Sequence, residues 1–203
     1  MGIKLITAPA SEPITLDEAK DHLRVDVSED DALITTLIVA AREAAEHITG
    51  RALMQQTWEL ALDCFHDIED CDLRYRIGRH AYRINIPKPP LVSITSVKYY
   101  DTDGTLQTMA SSDYQLDDHS EPARLMPAYG TCWPSTRDQA NAVMIRYVAG
   151  YADAASVPQQ IKNWMLLRIG MLYENRESVA AGVTLTEVPY VDCLLDAYRI
   201  WSL

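Results

Sequence analysis

No stretch of the 203 residues approaches the ~20 apolar positions a helix needs to cross a bilayer. The opening residues, 1–13, lack the long apolar core of a secretory signal, so the expected compartment is the cytoplasm. Cysteine is sparse and scattered: Cys64, Cys71, Cys132 and Cys193 form no CxxC pair and no Cys–His ligand spacing. Four free thiols are expected in a reducing compartment. Cys64 and Cys71 flank an acidic loop with His66, where a metal competes with plain loop and core cysteines. A basic excess is also missing. Lys and Arg number 18 against 29 Asp and Glu, giving a net charge of −11 and a pI near 4.8. That excludes a protein whose main task is to grip nucleic-acid phosphates. It is compatible with duplex DNA sliding past an acidic wall, and equally with acidity that serves solubility alone.

The signatures of chemistry are absent as well. The chain has no GxSxG elbow, no Walker loop and no dinucleotide glycine fingerprint. Five histidines form neither HExxH nor HxH, and His22 and His47 stand alone on helical stretches. Among 29 acids some carboxylates must pair by chance, so spacing nominates no catalytic dyad. The best metal-like string is Asp101-Thr-Asp103-Gly104. An EF-hand loop would need an acid where Tyr99 stands and a glutamate where Ala110 stands. The string therefore reads as a structural turn closing a hairpin. No catalytic residue, metal or cofactor is expected.

What is present is a change of period along the chain. Thr15 and Glu18 fit a capping box, and Leu16, Ala19 and Leu23 follow at helical spacing to about Arg24. Ser28 to Asp31 opens a second helix with carboxylates at its positive end. Leu33, Ile34, Leu37, Ile38, Ala41, Ala45 and Ile48 stripe one face of it until Gly50. The period then becomes two. Strands are expected at 57–62, 82–86, 93–100, 105–109, 114–117 and 142–147, with a rigid bend at Lys88–Leu91. Pro158 is placed at the first position of a third helix, with Ile161, Trp164, Met165, Ile169, Leu172 and Tyr173 on one face. Leu166 and Met171 lie elsewhere, so this helix is expected to be covered on more than one side. A final helix is expected over about 191–201, with Leu194, Leu195 and Tyr198 inward. The fold class is α+β. Residues 1–55 and 151–203, with two helices each, form a helical core, and 56–150 form an inserted small antiparallel β subdomain.

Between the first two strands an acidic run (Asp67, Glu69, Asp70, Asp72) precedes a basic one (Arg74, Arg76, Arg79, His80, Arg83). A solvated loop or edge strand accounts for it. The sharper alternative is a contact of Arg74, Arg76, Arg79 and Arg83 with a neighbouring subunit or a tail component.

Several strings, in this order, resemble the phage head–tail connector family, in its branch with a β insertion in a helical fold. They are Pro13–Asp26, Glu29–Ile34, Ala40–Glu43, Thr49–Leu53, Gln56–Trp58, Pro87–Leu91, Val97–Asp101, Asp103–Gly104 and Asp113–Tyr114. Trp133–Pro134, Tyr147–Tyr151, Val157–Pro158, Ile161–Lys162 and Tyr173–Glu177 continue the series. Each is weak alone, and their joint order is specific. Residues 67–82 look longer and more charged than the family's usual link. The resemblance implies an adaptor in the neck of a virion, assembled in the host cytoplasm, and not an enzyme. Such an adaptor forms a ring of about a dozen copies that docks on the portal protein and presents a platform to a stopper or tail-completion protein. DNA would pass through the ring without specific binding. The C-terminal residues Tyr198, Arg199, Ile200, Trp201 and Leu203 are the expected portal-docking segment, since aromatic and Arg side chains dominate protein contacts. Self-burial of Trp201 is the alternative. The rival functions are a small carboxylate- or metal-dependent enzyme and another neck or tail-completion protein.

Overall fold

The computed structural model describes residues 1–65, 83–175 and 191–200. The elements run β1 (Gly2–Thr7), α1 (Leu16–Leu23), α2 (Asp31–Thr49), β2 (Gln56–Leu62), β3 (Ile84–Ile86) and β4 (Leu91–Tyr100). After these come β5 (Leu106–Thr108), β6 (Tyr114–Asp117), β7 (Ala123–Pro127), β8 (Val143–Ala149), α3 (Gln159–Glu174) and α4 (Cys193–Asp196). They divide into two compact units, a β unit of residues 1–8 and 55–150 and a helical unit of 9–54 and 151–203.

In the helical unit the capping box starts α1. Glu18 N–H donates to Thr15 Oγ1 at 3.2 Å, and Thr15 N–H donates to Glu18 Oε2 at 2.8 Å. Gly50, at φ 74°, ends α2 with its N–H on the Glu46 carbonyl. Ile34, Ile38, Ala41 and Ala45 of α2 pack with Ile161, Trp164, Met165 and Ile169 of α3 and Leu195 of α4 in one cluster. Each large aliphatic side chain buried here contributes roughly 1.5–3 kcal/mol. Trp164 Nε1 donates to Asp192 Oδ1 at 2.9 Å, which ties α4 to α3.

The C-terminal part departs from expectation in three ways. Pro158 occupies the N-cap of α3, one step before the helix, because its ψ of 133° is extended. Leu167 and Met171 are 44 % and 46 % exposed, so α3 keeps one apolar side in water. Finally, α4 covers only Cys193–Asp196, whereas a helix over about 191–201 was expected. The backbone N–H of Ile200 bonds to the Thr49 carbonyl at 2.9 Å, so the chain has left the helix by that point.

The β unit has two antiparallel sheets, ordered β1-β2-β8-β4-β5 and β3-β7-β6. Strands β1 and β7 were not anticipated. Residues 1–8 had been grouped with the helices, yet β1 pairs with β2, with Ile3 opposite Leu60 and Leu5 opposite Trp58. One face of the larger sheet is buried, through Leu60, Val97, Val143, Ile145 and Tyr147. Buried Ile84, Ile86, Ala123 and Leu125 do the same for the smaller sheet. Phe65 stacks on Trp133 at 4.7 Å and meets Tyr99 edge-on. Lys88 Nζ lies 5.6 Å from the Trp58 ring centroid.

Candidate assembly interface

Three of the five residues assigned to docking lie together at the corner that ends α2. Arg51 Nε donates to the Tyr198 carbonyl at 2.7 Å, and Ile200 N–H donates to the Thr49 carbonyl. A Cβ on Gly50 would sit 3.5 Å from Ile200 Cβ. Arg199 Nε stands 3.3 Å from Asp196 Oδ1, an ion pair without hydrogen-bond geometry. Tyr198 and Ile200 thus hold their own chain. Trp201 and Leu203 lie outside the described residues, as do Arg74, Arg76 and Arg79. Arg83, which is described, is half-buried next to β3.

Asp101, Asp103 and Gly104 form the turn between β4 and β5. Asp101 Oδ1 accepts from the N–H groups of Asp103 (3.1 Å) and Thr105 (2.8 Å), and Oδ2 accepts from Gln107 Nε2 (2.8 Å). The Gln107 bond, followed by the Thr105 N–H, holds this carboxyl below the usual aspartate range. Both oxygens are engaged in local geometry. Among the described residues no three His, Cys, Asp or Glu side chains converge on a point that could hold a metal ion.

The sequence did not reveal a charged network in the helical unit. Arg42 is 6 % and Glu46 7 % exposed, one helical turn apart beside the apolar stripe of α2. Arg42 Nη1 donates to Glu46 Oε2 at 3.0 Å and Nε to Glu12 Oε2 at 2.8 Å, while Glu46 Oε1 accepts from Leu53 N–H at 2.9 Å. Burial raises the Glu12 carboxyl above its usual range, and Arg42 opposes the shift. The spacing of Arg42 and Glu46, four residues apart on a helix, was the available signal.

Formal charge differs between the units. The helical unit carries sixteen acids and eight bases, the β unit thirteen acids and ten bases. In the β unit all six residues of β1 are exposed at a sheet edge, including Ile3 (42 %), Leu5 (41 %) and Ile6 (38 %). This edge is an uncovered apolar surface available for contact.

Comparison with known proteins agrees in kind. The family of phage gp6-like head–tail connector proteins matches residues 13–115. Among curated proteins none matches the chain. A chain in the virion of a native gene transfer agent particle is similar in fold, with TM-score 0.76 and 23 % identity over 100 % of this chain and 97 % of that one. A chain in the neck of an empty gene transfer agent particle, computed with C6 symmetry, gives 0.75 and 23 % over the same shares. One in the neck of the native particle, computed with C12 symmetry, gives 0.73 and 22 %, again covering 100 % and 97 %. The chain belongs to the phage gp6-like head–tail connector family and is a structural connector subunit.

Proposed function

We propose that the chain forms a ring of about a dozen copies in the neck of a phage-like particle, docked on the portal and extending its DNA channel. The observation that carries this reading is the end-to-end likeness in fold to chains of a particle neck computed with twelvefold symmetry. Its opposite surface would receive a stopper or tail-completion protein. A net charge of −11 suits a channel that DNA traverses without adhering. The role is structural and not enzymatic; in the best metal-like string both carboxylate oxygens of Asp101 are engaged in a turn. Assembly takes place in the host cytoplasm and the mature location is the virion neck.

Within this reading Trp201 and Leu203 reach the portal from the corner that holds Ile200. The test is removal of residues 201–203, which spares the Ile200–Thr49 and Arg51–Tyr198 bonds. The shortened chain is expected to melt as the full one does and to lose co-sedimentation with portal-bearing capsids that lack this subunit. Undiminished binding would move the docking site elsewhere, with the 67–83 segment next in line. Early melting would assign Trp201 to the subunit's own core.

A further inference from the structure

A head-to-tail ring needs two different, complementary patches on each subunit, and this chain carries one of each sign. Residues directly opposite on neighbouring strands share a face of the sheet. Lys4 is opposite Glu59, Glu59 opposite Arg146, and Arg146 opposite Ser96; Lys98, opposite Met144, lies one step along the same face. This is the face turned away from buried Leu60, Ile145 and Val97. Lys4 and Lys98 are exposed, and the Arg146 side chain, 44 % exposed, is bonded to Glu59 at 2.7 Å. Three cations against one carboxylate stand out in so acidic a chain. At two of the three register shifts of this sheet Ile6 and Val92 are 38 % and 49 % exposed, which adds apolar contact area.

The opposite patch is the corner between α1 and α2. Asp17, Asp21, Asp26 and Glu29 are all exposed there. Lys20 is turned to Asp31 at 2.6 Å, which leaves Arg24 to offset part of the acidity. Val27 is 55 % exposed among these acids. Apolar side chains ringed by charge are the ordinary anatomy of a protein–protein contact.

We propose that neighbouring copies join with the Lys4–Arg146–Lys98 face of one against the Asp17–Glu29 corner of the next. The inference rests on the ring reading and assigns the surfaces which that reading leaves open. Charge complementarity favours a second copy as the occupant. Duplex DNA suits the sheet face less, because Glu59 sits within the row and only three cations face outward.

A charge exchange tests this. One variant carries Lys4→Glu with Lys98→Glu, the other Asp21→Lys with Glu29→Lys. Each presents like charges to copies of itself and should lose ring assembly by about tenfold or more, read by sedimentation velocity alone and on portal-bearing capsids. An equimolar mixture should recover assembly, because each variant then offers the other an opposite charge. Recovery should weaken as salt rises. If either variant assembles like the wild type, or if the mixture stays dispersed while both melt normally, the interface is wrong and the ring reading stands. If Lys4→Glu, facing Glu59, lowers melting, Lys98→Glu alone takes its place under the same criteria. Loss of salt-sensitive duplex binding in the lysine variant, with rings intact, would give the face to DNA and overturn the proposal. A wild-type chain that assembles in neither setting removes the ring reading and this interface with it.

Discussion

Tyr147 is fully buried on β8, and its hydroxyl has no hydrogen-bond partner among the described residues; Trp58 Nε1, on the strand residue directly opposite, has none among them either. A buried unsatisfied polar group costs about 1–3 kcal/mol, while the ring itself fills core volume. Tyr147→Phe keeps the ring and removes the cost, so thermal unfolding should show equal or greater stability, by up to about 1 kcal/mol. Burial also pushes the phenol pKa far above its ordinary value of about 10. Below that pH the group is neutral in both states and contributes no pH dependence. Above it the unfolded chain releases a proton that the folded chain keeps, so stability falls as pH rises. The Phe variant should lack this part of the alkaline decline; parallel pH profiles above 10 would refute the assignment. Gly104 is a second residue-scale case. A Cβ there would meet Arg137 Nη1, the tip of a flexible side chain that can move aside. The lasting cost is the φ of 84°, so Gly104→Ala should destabilise by about 1 kcal/mol. The turn was legible because its residue types demand it. The buried hydroxyl was not, because a tyrosine in a strand says nothing of what surrounds its oxygen.

At the scale of elements, α2 was readable from its 3.6-residue apolar period and its closing glycine, and the capping box fixed the start of α1. The burial of Arg42 and Glu46 was not legible, since buried charge follows no period and depends on partners distant in sequence. Glu12 lies 30 residues from Arg42. The same non-locality hid β1, whose partner strand begins beyond two helices. β7 (ARLMP) lacks the β-branched residues that mark strands. The spacing of Leu194, Leu195 and Tyr198 made α4 look longer than it is, because the bond from Ile200 to Thr49 is a tertiary event. The network yields a contrast between two glutamates. Glu46→Ala strips a buried guanidinium of one partner and leaves Leu53 N–H without its acceptor, costing about 3 kcal/mol. Glu43, whose side chain is 67 % exposed and 3.6 Å from the same arginine, should cost under about 0.5 kcal/mol on change to alanine. Denaturant titration of both separates them; equal losses would mean that burial does not set the value of this network.

For the molecule as a whole, the order of the units along the chain predicts what can be separated. The chain begins in the β unit, passes to the helical unit at residue 9, returns at 55 and leaves again at 151. Gln56 and Ala149 are paired across β2 and β8, so the exit and return points lie on neighbouring strands a few ångströms apart. Among the described residues the apolar cluster of the helical unit is made of side chains of that unit, from Ile14 to Met54 and from Tyr151 to Tyr198. The gap left by removing residues 55–150 is short. A chain of residues 9–54 joined to 151–203 through about four Gly/Ser residues should therefore fold alone, with helical circular dichroism and a cooperative melt. Residues 55–150 alone should fare worse. Without β1 the β2 edge is open, and the Ile3 and Leu5 cover on Leu60 and Trp58 is gone, which invites edge-to-edge aggregation. Restoring residues 1–8 as a fusion or a peptide should bring solubility back. A broad, non-cooperative transition in the joined helical chain would show that its stability depends on the β unit, and that the two units are one folding entity.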